Sequence, residues 1–324
     1  MTPSSRTGRE LPEMGIGIDI GGTSTKAALI AADGAVIASN VVPTEPGNDH
    51  VVAVALAAAR ALLVSSGRRI GDIDAIGVGI PGTVDPMSGT VRFAVNVGIG
   101  SEPLSLGARL ATELGRPVNV ENDVRAAALG ADWCLAAAGE PVDDLAYLSI
   151  GTGIAAGYVQ HGRLQRGSHH VAGEIGHIPV DPAGPRCACG QTGCIEAISS
   201  GSAIERMWPT PGGAAAIDLV RAVTAGDDAA RQIWSNVIGG LSTAVLMLAL
   251  TLDPQVIVLS GGVAAMGQPL CDAIAERLAF DGRNSGFLAS LDVGARMRII
   301  EPTVPLGAIG AVRAAYAVSV DRAR

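Results

Sequence analysis

Apolar residues in this chain cluster into short runs separated by Gly-rich turns, and few of them form amphipathic stripes. Met14 to Ile20 is such a run. It enters Gly21-Gly22-Thr23, and a second apolar run leaves toward Ile30. Runs of this length bounded by turn residues predict β-strands. Asp33-Gly34 is a hairpin signal, and Ala35 to Asn40 continues as a third strand. Val51 to Val64 is apolar nearly all round and predicts a buried helix, and Ala75 to Ile80 predicts a strand closing at Pro81-Gly82. A strand at Pro117 to Val120 passes into an Ala-rich helix starting at Asn122 or Asp123. Val237 to Leu252 is apolar but short for a membrane span and is followed by Asp253-Pro254, so a buried helix is expected. Leu306 to Tyr316 predicts a closing helix whose small residues, Gly307 and Gly310 among them, allow tight packing.

The opening pattern recurs. Leu145 to Val159 again sets a turn, Gly151-Thr152-Gly153, between two apolar strands, 130 residues after Gly21. The repetition points to an internally duplicated α/β chain. Each turn presents backbone N–H groups and a Thr hydroxyl, an arrangement suited to phosphate oxygens. A third turn, Ser260-Gly261-Gly262-Val263, follows the strand Gln255 to Leu259 and suits a nucleoside. None of the three matches the Walker or Rossmann fingerprints. Asp19, just ahead of the first turn, offers a carboxylate that can hold Mg²⁺ through water, and Lys26 is a nearby cation.

A different chemistry occupies residues 173–196. His177, Cys187, Cys189 and Cys194 supply one imidazole and three thiols, a full tetrahedral set for structural zinc. Gly190 and Gly193 let the backbone turn between the thiols. Four protein ligands leave no open position for a catalytic water. Glu174 and Glu196 flank the set, so the metal would fix both carboxylates in one place.

Composition narrows the partners. The 324 residues are 48% hydrophobic, carry a net charge of −8 and include three each of Trp, Tyr and Phe. Without a basic run or an aromatic platform, nucleic acid is not expected as a partner. Residues 1–14 are polar, contain Pro3 and Pro12, lack a signal-peptide core and read as a flexible tail. A cytoplasmic protein without membrane attachment is expected, with Cys134 and Cys271 as buried small hydrophobes. The remaining need of a phosphotransferase is a proton acceptor. Asp123 fits, because a helix N-terminus favours the ionised carboxylate.

The runs Asp19-Ile-Gly-Gly-Thr23, Glu121-Asn122-Asp123, Ile150-Gly-Thr-Gly153, Gly173-Glu-Ile-Gly-His177 and the Cys187–Glu196 knuckle resemble those of the ROK family (repressors, open reading frames and sugar kinases), in its order and from Gly15 to Tyr316. The resemblance implies a duplicated actin-like, ribonuclease-H-like α/β fold of two lobes. Residues 15–120 with 306–324 would form the small lobe and 121–305 the large lobe with its zinc knuckle. It implies an ATP- and Mg²⁺-dependent hexose 6-kinase with structural Zn²⁺, commonly a homodimer or homotetramer.

By that resemblance Asp123 is the catalytic base, and Gly82, Asn96, Asn122, Asp123, Glu174, His177 and Glu196 bind the sugar. Asp19, Gly21, Gly22, Thr23, Lys26, Gly151, Thr152, Gly153, Gly261 and Gly262 bind the nucleotide. Two places depart from the family's glucokinases. Arg125 replaces a usual Asn, and Val97-Gly98-Ile99-Gly100 replaces a Leu with a nearby Trp. The smaller loop would tolerate a 2-acetamido group, which leaves glucose only slightly ahead of N-acetylglucosamine and N-acetylmannosamine. The family's repressors carry a DNA-binding module, yet no recognition helix or basic cluster precedes the first strand here. A non-catalytic sugar sensor is the alternative from another class; the retained Asp123 argues for the kinase.

Overall fold

The structure is a computed structural model that describes residues 9–212 and 214–323. Its strands are β1 (Met14–Ile20), β2 (Ser24–Ala31), β3 (Val36–Pro43), β4 (Ala75–Ile80), β5 (Thr83–Asp85), β6 (Thr90–Arg92), β7 (Asn119–Asn122), β8 (Asp144–Ile150), β9 (Ile154–Gln160), β10 (Arg163–Leu164), β11 (Val256–Ser260) and β12 (Met297–Ile299). Its helices are α1 (Asn48–Ser66), α2 (Leu106–Leu114), α3 (Asp123–Ala137), α4 (Ile195–Ser199), α5 (Gly201–Met207), α6 (Ala215–Ala225), α7 (Asp228–Leu252), α8 (Gln268–Gly282), α9 (Gly286–Ser290) and α10 (Leu306–Ala323).

The duplication is visible in the sheets. One has the order β3-β2-β1-β4-β7 and the other β10-β9-β8-β11-β12, position for position the same plan. In the first, β1, β2 and β3 form an antiparallel meander while β4 and β7 run parallel to β1. In the second, β10 pairs antiparallel with β9, and β8, β11 and β12 are parallel.

The chain divides into two compact units. The first holds residues 1–143, 157–172 and 305–324; the second holds 144–156 and 173–304. This grouping differs from the expected boundary at residue 120, because α3 packs along α10 and stays with the first unit.

The alternation in Met14–Ile20 explains the first unit's layering. Ile16, Ile18 and Ile20 face one side of the sheet and share a core with Val51, Ala55 and Leu62 of α1. Gly17 and its β4 neighbour Gly77 face the other side. A Cβ on either would lie 2.1 or 1.9 Å from a carbonyl oxygen of α10, so only glycine lets that helix lie this close. The α3–α10 contact is equally close, since a Cβ on Gly310 would sit 1.6 Å from the Ala126 carbonyl oxygen. Arg313 of α10 is buried and paired at 2.7 Å with Asp132 of α3.

Residues 1–8 of the expected tail lie outside the described residues. Arg9 is tied in, its guanidinium on Asp132 at 3.0 Å, and Leu11 is buried, so the chain is anchored several residues ahead of β1. Among the described residues, two helices, α1 and α7, are long and apolar enough to cross a membrane by length and composition, and 39% and 50% of their apolar windows are buried inside the protein. At 25 residues α7 is longer than its apolar run, because the polar turn from Asp227, whose carboxylate caps Ala230, extends it backward.

Candidate functional site

In the first unit, five segments converge at the carboxyl ends of β1, β4 and β7. The turn after β1 is closed by the Gly21 N–H donating to the Ser24 carbonyl at 3.0 Å. Gly22 stands against Asn96, since a Cβ added there would lie 3.2 Å from the Asn96 Cβ and carbonyl oxygen. Asp19 pairs across the strands with Lys26. Burial raises the Asp19 pKa, and Lys26 opposes the rise. Gly79 of β4 separates Asp19 from Asp123. A Cβ on it would be 3.4 Å from the Asp123 Cα and 3.8 Å from an Asp19 oxygen. The Gly21–Thr23 turn, Asn96 and Asp123 thus share one neighbourhood.

The Asn122–Asp123 corner is set by ordinary helix chemistry. Asn122 is the N-cap of α3, its side-chain oxygen accepting from the Arg125 N–H at 3.2 Å. Its amide donates to the Gly82 carbonyl at 3.2 Å, which ties the corner to the β4–β5 turn. Gly82 has φ of +91°, and a Cβ there would collide with the Arg92 carbonyl oxygen at 2.6 Å. Asp123 lies in the first turn and accepts from the Val124 N–H through one oxygen.

In the second unit the turn Gly151-Thr152-Gly153 is closed by a 3.0 Å bond from the Gly151 N–H to the Gly153 carbonyl, and the start of α5 donates onto it from Gly201 at 2.8 Å. The third turn abuts it. Gly261 has φ of +95°, and the Val263 N–H donates to the Ile150 carbonyl at 2.9 Å. Glu196, in the first turn of α4, accepts from the Ile154 N–H at 2.9 Å. A Cβ on Gly153 would strike that carboxylate at 2.4 Å. The Glu196 carboxylate therefore lies directly against the Gly151–Gly153 turn. Glu174 is exposed and follows Gly173, whose φ of +102° and bond to Ala156 seat the segment against β9.

His177, Cys187, Cys189 and Cys194 converge, with one ligand atom from each within 4.8 Å of all the others. Cys187 Sγ is 3.7 Å from His177 Nδ1, and Cys189 Sγ is 3.7 Å from Cys194 Sγ. A tetrahedron with Zn–S bonds of about 2.3 Å has edges of roughly 3.8 Å. The donor set fits zinc in type, number and spacing. Burial pushes Cys194 up to about 12, whereas hydrogen bonds from Gln191 bring the exposed Cys189 down to about 6. With Nδ1 facing the thiols, the other ring nitrogen of His177 remains for a second task.

Two residues of the site meet partners that the sequence did not indicate. Glu121, fully buried behind Asn122, is ion-paired with Arg166 at 2.7 Å across 45 residues of sequence. Gly307, the second residue of α10, leaves room for Asp19, since a Cβ there would lie 2.7 Å from its carboxylate.

Residues 15–281 match the ROK family. The chain is 31% identical to the glucokinase of Thermotoga maritima over 314 residues, which covers 92% of this chain and 96% of that one. It is 33% identical to the N-acetylmannosamine kinase of Vibrio vulnificus over 255 residues, 76% of this chain and 82% of that one. A ROK family glucokinase from Streptomyces griseus, solved with glucose and AMPPNP, is 30% identical with a TM-score of 0.74, covering 93% of this chain and 99% of that one. The fold is the actin-like two-lobe fold of these sugar kinases. With the match running through both turns, the Asn122–Asp123 corner and the zinc-type knuckle, the chain belongs to the ROK family.

Proposed function

We propose that this protein transfers the γ-phosphoryl group of ATP to the 6-hydroxyl of a hexose, with glucose slightly favoured. The observation that carries the reading is the contact between acid and turn in each unit: Asp123 beside the Asp19–Thr23 turn across Gly79, and Glu196 hydrogen-bonded at the Gly151–Gly153 turn. A sugar-binding group next to a phosphate-binding turn is what phosphoryl transfer requires, since the protein's work is positioning and charge neutralisation.

In this reading Asn122, Asp123, Glu174, His177 and Glu196 are the sugar-binding side chains, with Asn96 and the Gly82 backbone also assigned to the sugar. Asp123 takes the proton of the 6-hydroxyl as that oxygen bonds to the γ-phosphorus and ADP leaves. Its place in the first turn of α3 sets the carboxylate at the positive end of the helix dipole, where negative charge is favoured. Gly21, Gly22, Thr23, Gly151, Thr152 and Gly153 donate to phosphate oxygens, Lys26 adds positive charge, and Gly261 and Gly262 border the nucleoside. Magnesium, placed by Asp19, would neutralise phosphate charge when bound with the nucleotide. Zinc on His177, Cys187, Cys189 and Cys194 would be structural, holding Glu196 and His177.

The Thermotoga and Streptomyces relatives support glucose. The Vibrio relative supports N-acetylmannosamine as the second reading, and the small Val97–Gly100 loop favours it at the residue level. A cytoplasmic homodimer or homotetramer accompanies the proposal, to be checked by light scattering on the purified protein. The deciding experiment couples ADP release to product detection with glucose, mannose, N-acetylglucosamine and N-acetylmannosamine in turn. One sugar with a clearly superior kcat/KM establishes the kinase. Sugar binding without turnover on any of them turns the reading to a sensor.

A further inference from the structure

Behind the Asn122–Asp123 corner lies a buried charge cluster that the reaction as described does not use. Glu121 and Arg125 are 0% and 2% exposed. One Glu121 oxygen accepts from the Asn122 N–H at 3.0 Å and lies 3.8 Å from the Arg125 guanidinium. The other accepts from Arg166 Nε at 2.7 Å. The Arg125 guanidinium also donates to the carbonyl oxygen of His170. A carboxylate and guanidinium this deeply buried are costly to desolvate and persist only when their geometry is well satisfied.

The segment 166–172 is therefore fastened at two points, Arg166 on Glu121 and His170 on Arg125. His170 is held at φ of +56°, a conformation non-glycine residues adopt at some cost. Its Nδ1 is buried with no hydrogen-bond partner among the described residues. The 166–172 segment is thus tied to Glu121 and Arg125, on either side of the Asn122 whose amide binds Gly82.

We propose that Arg125 is a positioning residue for the sugar. Through Glu121 it holds the Asn122 peptide, and through the His170 carbonyl it holds the 166–172 segment against the same corner. Sugar affinity then depends on a buried charge that never touches the substrate. This rests on the sugar-kinase reading.

The test compares Arg125→Met, Arg125→Lys and Arg166→Met with wild type, using glucose and N-acetylmannosamine as varied substrates, ATP as the second, and calorimetric sugar binding without nucleotide. Arg125→Met is expected to raise the sugar KM and Kd about tenfold or more, the weight of a lost charge-assisted contact, while the ATP KM moves less than about twofold. Arg125→Lys should recover part of the loss, since it restores the charge without the fork. Arg166→Met should act in the same direction, and more weakly, because Arg166 is partly exposed. If Arg125→Met proves insoluble, the other two variants carry the test. Unchanged sugar KM and Kd, with only the melting temperature lowered, overturns the inference and makes the cluster purely structural. Wild-type protein that neither binds nor phosphorylates a sugar removes the kinase reading, and this inference with it.

Discussion

The first turns of α3 and α4 each present a carboxylate, Asp123 and Glu196, and the two are held by different means. Helix α3 has 15 residues, a hydrogen-bonded N-cap, a close-packed seam with α10 and the buried Asp132–Arg313 pair. Helix α4 has five residues and no side-chain cap on its Cys194 N-cap. A helix that short does not hold itself together. Two things outside it fix it: the knuckle at its N-terminus, where Cys194 and His177 belong to one four-ligand set, and close packing on α7, where a Cβ on Gly240 would lie 2.1 Å from Ser199 Oγ. Packing anchors the acid proposed to react, and the acid proposed to bind sugar starts from a four-ligand set of zinc type. If both roles hold, one acid is placed by a large core and the other with the help of an ion, and the two should fail in different ways.

The largest expected effect separates chemistry from binding. Asp123→Asn should lower kcat by about a thousandfold while the calorimetric sugar Kd stays within about twofold. A near-normal kcat would remove Asp123 from the base role. Next comes the metal arm. Cys194→Ser, or exhaustive chelation, should strip zinc and weaken sugar binding by about tenfold to a hundredfold together. Zinc lost with sugar affinity intact would break the comparison, because Glu196 would then be held without the ion.

The packing arm gives a stability effect. Gly310→Val drives a side chain into the Ala126 carbonyl and should cost about 3 kcal/mol or more in denaturant unfolding, with zinc content unchanged in the folded fraction. Loss of zinc without loss of stability would mean that the seam does not hold α3. The smallest effect concerns Asp19, next to the α3 start across Gly79. Its pKa is raised by burial, so folding binds its proton more tightly than the unfolded chain does, and stability is lost as pH rises through the raised value. Asp19→Asn should therefore raise the melting temperature slightly at neutral pH, with the gain vanishing in acid. A gain that persists undiminished below the ordinary carboxylate range would contradict that account.

Much of this was legible along the chain. The strands around Gly21–Thr23 and Gly151–Gly153 were readable because short apolar runs between glycines have few other uses, and their repetition showed the duplication before any sheet was seen. The zinc set was readable because its ligands are local, three thiols within eight residues and a His ten residues before them. Boundaries were less so. The strand expected at Pro117–Val120 runs from Asn119 to Asn122, since pairing with Gly77–Ile80 of β4 decides its register. The expected lobe boundary at 120 differs from the packing division, because residues 121–143 follow α10, an element some 180 residues away.

The chain by itself determined the elements that depend on neighbours in sequence: the turns, a helix cap at Asn122 or Asp123, and the clustered thiols. Their free energies come from backbone conformation and short-range bonds. The tertiary structure alone decided which distant charges meet. Glu121 finds Arg166 across 45 residues, and Arg313 finds Asp132 across 181. Local sequence encodes no such distance. Only burial, which makes an unpaired charge untenable, selects the partner.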